Sequence, residues 1–271
     1  MTQVSNILTE VPKTMDDIES EISQSLQVLS EQLQRLVKNA EKIRSEQFHE
    51  FKDELSRKLL WLRPSVGGIS AISCCAGTPQ RGITNISISN IGRNMEKQLS
   101  QPGRKTPEKQ LQSWLIQSAL KSDGRLTLLD DLLGGQYWFV SDEIALTTAS
   151  KRKVVADLLL VRVDAEGLAC LVNAELKTGR LMETFRQVIR FRAALEHPGL
   201  QDSWKTFAEV MTGEKFRWHP SHETRGVVIW PAVGEKPMNA LANEKRKDYA
   251  RMDVIGYGEE IKYTLKIERL P

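Results

Sequence analysis

A disulfide framework and membrane spans are excluded by what this sequence does not contain. Three cysteines in 271 residues, two of them adjacent (Cys74 and Cys75, with Cys170 the third), cannot build a disulfide framework and fit a reducing compartment. No run approaches the ~18 consecutive apolar residues that a membrane-crossing helix needs. The opening residues have no basic start followed by an apolar stretch, so no secretory signal is expected and cytoplasmic placement is. A glycine-rich G-x-x-x-x-G-K-[ST] phosphate loop is also missing, which argues against ATP hydrolysis. The four histidines (His49, His197, His219, His222) are too scattered to pair with a Ser or Cys nucleophile. A large excess of either charge is absent as well: 38 basic against 35 acidic residues leave +3. That balance is uneven along the chain. Residues 1–62 hold 8 basic and 11 acidic side chains, and the remainder 30 and 24, so an acidic N-terminal piece precedes a basic one. With 40% hydrophobic and 27% charged residues, the composition is that of a folded globular chain.

Residues 16–62 contain neither Pro nor Gly and are rich in helix formers. Ile22, Leu29, Leu36 and Ile43 recur every seven residues, with Leu26, Leu33 and Ala40 four after the first three, which makes a seam of heptad a and d positions. A second stripe, Phe48, Phe51, Leu55, Leu59 and Leu62, is displaced from the first. This pattern predicts either one helix with a stutter or two helices broken near residues 44–47. A single helix would run roughly 70 Å; its seam either packs partly on the chain's own domain or, as the favoured expectation, forms a homo-oligomer through residues 16–62. Residues 63–105 read as a Gly/Ser-rich linker or irregular segment, without an acidic residue up to Met95. A short strand is expected at Ile86–Ile88, and no second Cys/His pair at metal-binding spacing lies near Cys74 and Cys75.

From residue 106 onward the pattern is α/β. Thr106-Pro107-Glu108 has a cap residue, proline at the first helical position and an acid in the first turn. Apolar residues at helical spacing follow as far as Leu120. Strands are expected at Tyr137–Val140, Val154–Val163 and Leu168–Leu176, the last two closed into a hairpin by Asp164–Gly167. A helix is expected at Glu183–Leu195, strands at Gly226–Trp230, Asp253–Tyr257 and Ile261–Glu268, and a polar helix at Asn239–Arg251. This order predicts a mixed sheet flanked by helices over residues 106–271.

Asp157 interrupts an apolar strand, and Glu175 and Lys177 stand two apart, hence on one face, at the end of its hairpin partner. Asp157 lies about nine residues before the turn centre and Glu175 about nine after it, so the two can face each other. Such a carboxylate pair suits a hard oxygen-preferring cation, Mg²⁺ or Mn²⁺. A neighbouring lysine positions or deprotonates water, or offsets charge growing on a phosphate. Asp130-Asp131 and Asp142-Glu143 could each supply a further ligand, but acidic pairs at loop ends are usually solvated. Lys151, Arg152 and Lys153 directly precede the Asp157 strand, where a basic cluster can meet a phosphate backbone. Lys245-Arg246-Lys247 is a second such cluster.

Residues 154–194 resemble the core of the PD-(D/E)XK nuclease superfamily, in the manner of its RecB-like and mismatch-endonuclease-like branches. Asp157 matches the acid of the second core strand, Glu175-Leu176-Lys177 the Glu-x-Lys of the third, and Gln187 to Phe191 the Gln-x-x-x-Tyr helix motif with Phe for Tyr. Ala156 stands where proline often precedes the acid. The resemblance implies a restriction-endonuclease-like fold with Asp157, Glu175, Lys177 and Gln187 as catalytic residues. It implies Asp157, Glu175 and Glu108, on the first core helix, as metal ligands; Arg190 and the basic residues 151–153 are the expected contacts to nucleic acid. The expected activity is Mg²⁺-dependent hydrolysis of phosphodiester bonds, DNA being the favoured substrate, of the kind used in bacterial defence or DNA processing. The alternative is an inactive module of the same fold that binds nucleic acid or joins a larger complex through its N-terminal helix.

Overall fold

The computed structural model describes residues 15–45, 60–73, 80–84, 106–177, 182–231, 251–257 and 267–269. Two nearly continuous helices open the described chain, α1 (Met15–Gln24) and α2 (Leu26–Arg44), with Ser25 between them. Three short strands follow, β1 (Leu60–Ser65), β2 (Gly68–Ser73) and β3 (Gln80–Thr84), in a small antiparallel sheet of order β1-β2-β3. Next come α3 (Pro107–Lys121), α4 (Thr127–Leu133), and the strands β4 (Gln136–Thr147), β5 (Lys153–Val163) and β6 (Ala169–Leu176). Helices α5 (Met182–Glu196) and α6 (Gln201–Thr212) lead to β7 (Arg225–Pro231), β8 (Met252–Tyr257) and β9 (Ile267–Arg269).

The main sheet is mixed, in the order β4-β5-β6-β7-β8-β9. β4 to β6 form an antiparallel meander, β6 to β8 run parallel, and β9 returns antiparallel. Helices cover both faces. One core joins Leu111, Leu115, Ile116 and Ala119 of α3 to Leu158, Leu160, Val172, Ala174 and Ile229 of the sheet. The other joins α1, α2, α5 and α6 to Leu159, Val161 and Leu171. The crossover from β6 to β7 lets α5 lie close on the strand after it, because residue 226 is glycine. A Cβ there would stand 2.4 Å from Val188 Cγ1, a distance no side chain tolerates.

The N-terminal seam is spent inside the chain. Ile22, Leu29, Leu33, Leu36 and Ala40 are 0–1% exposed and share a core with Ile144, Val154, Ala156, Phe191, Trp204 and Phe207. Polar side chains fasten the same helices: Gln32 exchanges hydrogen bonds with the Thr147 backbone (2.7 and 2.9 Å), Asn39 donates to Ser65 O (2.8 Å), and Arg44 donates to the last carbonyls of α6, Val210 and Met211. The expected long coiled-coil arm and its oligomeric seam are therefore corrected. A heptad stripe and a surface helix's apolar stripe are nearly the same pattern, and here the sheet takes the seam. Leu62, expected on a helix, lies in β1. Pro64 also lies in β1, an edge strand, where its missing N–H costs no ladder bond. Part of the expected linker is accordingly a three-stranded sheet. Phe48, Phe51, Leu55, Leu59, Cys74, Cys75, the Ile86–Ile88 strand and Lys245 to Lys247 lie outside the described residues, as does the polar helix of residues 239–251 apart from Arg251. Among the described residues, no helix is long and apolar enough to cross a membrane.

Candidate active site

β5 and β6 carry the two acids to one place. The hairpin register runs from Val163 opposite Ala169 to Leu158 opposite Ala174, so Asp157 and Glu175 are the next residues on. At Asp157 the alternation of β5 slips by one: Val154 and Ala156 face the core of α1, α2, α5 and α6, as do Leu159 and Val161, while Leu158 faces the opposite core. Such a slip re-aims a side chain where ladder pairing stops. Asp157 Oδ2 accepts from the Leu176 backbone N–H at 2.8 Å. Lys177 Nζ lies 2.9 Å from Glu175 Oε2 and 3.4 Å from Asp157 Oδ2, spanning both acids. The Lys177 backbone is pinned from two neighbouring strands: its N–H donates to Ile229 O (2.9 Å) and its carbonyl accepts from the Tyr257 hydroxyl (2.9 Å). The site thus sits where the parallel strands β6, β7 and β8 end, a usual ligand position in α/β sheets.

Electrostatics single this pair out. Glu175 is 1% exposed, and burial, then the charge of Asp157, push its carboxyl up to about 8 against the pull of Lys177. Glu175 Oε1 is buried and accepts no hydrogen bond. Burial draws the Lys177 ammonium down, but Asp157 and Glu175 outweigh it and hold the lysine above its ordinary range. Glu108, from α3 on the opposite face of the sheet, belongs to the same field. Burial and then Asp157 raise its carboxyl, with Lys177 acting against them.

The remaining predicted residues divide. Gln187 Oε1 and Arg190 Nε, one turn apart on α5, are buried without hydrogen-bond partners, and no hydrogen bond joins either to the acids. Phe191 is wholly buried against Trp204, ring centroids 5.5 Å apart, so that position is core here. Lys153 stands four residues up β5 from Asp157, about 13 Å away, with Lys151 and Arg152 farther still. Arg152 pairs with Glu21 of α1 at 3.5 Å. The fold does not bring the 151–153 cluster to the acids. Asp142-Glu143, expected to be solvated, is a correction: Asp142 is fully buried. It accepts from Trp61 Nε1 (2.8 Å), from Arg63 through Nε (2.8 Å) and a second nitrogen, and from Gln112 Nε2 (3.2 Å). Glu143 takes Arg63 on one oxygen (2.8 Å) and Lys109 on the other (2.6 Å). Arg63, Lys109 and Gln112 escaped the sequence reading. For the α3 pair a signal existed, since Glu108, Lys109 and Gln112 fall within one turn of one helix.

Among the described residues, no three His, Cys, Asp or Glu side chains are grouped to hold a metal, so Glu108 does not complete a three-carboxylate cage. Two carboxylates plus waters are nonetheless an ordinary Mg²⁺ set. A buried pair of mutually repelling acids, one with an oxygen lacking any donor, is chemistry that a hard cation satisfies. The residues present fit such an ion. No family model matches the chain, and no curated protein or solved structure matches it.

Proposed function

We propose that this chain is a metal-dependent nuclease that hydrolyses phosphodiester bonds of nucleic acid, with DNA the favoured substrate. The observation that carries this reading is the Lys177 ammonium spanning Asp157 and Glu175 at the strand ends, with one Glu175 oxygen left without a donor. Asp157 and Glu175 would hold Mg²⁺ or Mn²⁺, with Glu108 close enough to feel the same charge. When bound, such an ion activates water for attack and neutralises charge on the phosphate. The chain's own residues divide the rest. Lys177, beside both acids, would position or deprotonate the attacking water or offset charge developing on a phosphate oxygen. Leu176 N–H orients Asp157, and Tyr257 with Ile229 fixes the backbone from which Lys177 projects. Arg190 on α5 would donate its guanidinium N–H groups to a substrate phosphate, and Gln187, whose Oε1 can only accept, would organise the site through its amide N–H.

The test is cleavage of a panel of DNA and RNA substrates with Mg²⁺ and with chelator. Lys177→Ala and Asp157→Asn are expected to abolish Mg²⁺-dependent cleavage while melting like the wild type; cleavage that survives both would falsify the site. The substitution of Phe191 for the motif's tyrosine supports a second reading, a module that holds nucleic acid without cutting it. Its signature is binding unchanged by chelator and no cleavage in Mg²⁺.

A further inference from the structure

Two lysines lie within the field of Glu108, and they are treated oppositely. Lys177 spans the acids of the site. Lys109, adjacent in sequence to Glu108 and acting on its carboxyl, is held elsewhere: Nζ donates to Glu143 Oε1 (2.6 Å) and Gln112 Oε1 (2.7 Å). Glu143 is itself fixed. Its second oxygen takes Arg63 (2.8 Å), and Arg63 is anchored on buried Asp142. The β4–β5 register sets Asp142 opposite Leu158 and Ile144 opposite Ala156, which puts Glu143 across from Asp157. Glu143 also adopts φ 45°, a left-handed conformation that costs a non-glycine residue about 1–2 kcal/mol and persists only where the surroundings enforce it.

We propose that Glu143 is a positioning residue: it holds the Lys109 ammonium on itself and Gln112, so that Lys177 is the one lysine paired with Asp157 and Glu175 and a divalent cation can be bound. This rests on the metal-dependent reading of the site. Freed from Glu143, the Lys109 ammonium pairs with the neighbouring carboxylates and repels the cation. One added unit charge at such distances shifts affinity by about tenfold.

The experiment measures Mn²⁺ binding to the full chain by electron paramagnetic resonance, without substrate. Glu143→Gln is expected to weaken Mn²⁺ about tenfold. Lys109→Gln should bind at least as tightly as the wild type, and adding it to Glu143→Gln should restore binding. Equal Mn²⁺ affinity for Glu143→Gln and the wild type overturns the proposal. So does a double variant as weak as the single one, because a purely structural role for Glu143 is not repaired by removing a lysine. If Glu143→Gln fails to fold, Lys109→Gln decides alone: weaker binding than wild type overturns the proposal. Asp157→Asn separates the two levels. Mn²⁺ binding that this change leaves intact removes the metal reading and this inference together. Binding lost in Asp157→Asn yet unchanged in Glu143→Gln removes only the inference.

Discussion

Asp142 and the Asp157–Glu175 pair are buried or half-buried acids in one sheet, each in contact with a cation, and they are satisfied to opposite degrees. Around Asp142 both oxygens are filled, by Trp61, Gln112 and the fork of Arg63. Arginine presents several donors in a fixed plane, which suits a permanently enclosed carboxylate. Around the other pair there is one lysine for two acids, and Glu175 Oε1 has no donor. The completed network ties the N-terminal sheet to β4 and is structural. Incomplete pairing of two acids at strand ends is what sets the proposed site apart from this structural network.

That difference predicts opposite consequences of removing a charge. Asp142→Ala leaves the Arg63 guanidinium, 6% exposed, with Glu143 but without its buried carboxylate, and losing one partner of a buried pair costs about 3–5 kcal/mol. Asp157→Asn keeps an oxygen for the Leu176 N–H and relieves the repulsion on Glu175, so its stability should stay within about 1 kcal/mol of wild type. Urea unfolding of both variants checks this. Equal losses would erase the distinction between a structural and a functional acid. The double variant Arg63→Leu with Asp142→Leu should recover part of the loss, since no charge is then left without its partner.

How much of this was legible in the sequence depends on distance along the chain. The β5–β6 hairpin was readable because the Asp164–Gly167 turn fixes the register, so counting from its centre put Asp157 opposite Glu175. The α3 cap was readable because Thr106-Pro107-Glu108 is a local signal. Arg63 and Asp142 are 79 residues apart, and nothing local announces that pairing. The heptad seam was visible, but its partner was not, since an apolar stripe fits a sheet as well as a second copy. Two helices went unread, α4 and α6. For α6 the signal was present: Trp204, Phe207, Ala208 and Met211 follow helical spacing, and Gly213 at φ 78° closes the helix.

The pH dependence of stability sharpens the same contrast with a smaller effect. Glu175 holds its proton up to about 8 in the folded chain and releases it in the ordinary carboxylate range when unfolded. The folded state therefore binds more protons between those limits. Its stability is fullest below the ordinary carboxylate range and falls as pH rises toward about 8. Glu175→Gln removes that slope, and above pH 8 the variant should be more stable than the metal-free wild type. Mg²⁺ should stabilise the wild type there and leave the variant unmoved. A wild-type stability that rises between pH 5 and 8 would contradict the assignment of Glu175 as the strained acid.

The smallest effect concerns the helix that serves both clusters. α3 supplies Glu108 to the site and Lys109 and Gln112 to the network, and its start is capped by Thr106, whose hydroxyl accepts the Lys109 N–H at 3.3 Å. That bond is long, so Thr106→Ala should cost about 0.5 kcal/mol, at the low end for a cap. Its interest lies in where the loss appears. Fraying reaches Glu108 and Lys109 in the first turn but leaves Gln112, one turn on, against Asp142. The network's share of stability should therefore persist, while Mn²⁺ affinity drops severalfold if Glu108 takes part in binding the ion. Thr106→Ser restores an oxygen at the cap and should reverse both changes. A Thr106→Ala chain that loses stability and keeps its Mn²⁺ affinity assigns Glu108 to the structural cluster, leaving Asp157 and Glu175 as the only acids of the site.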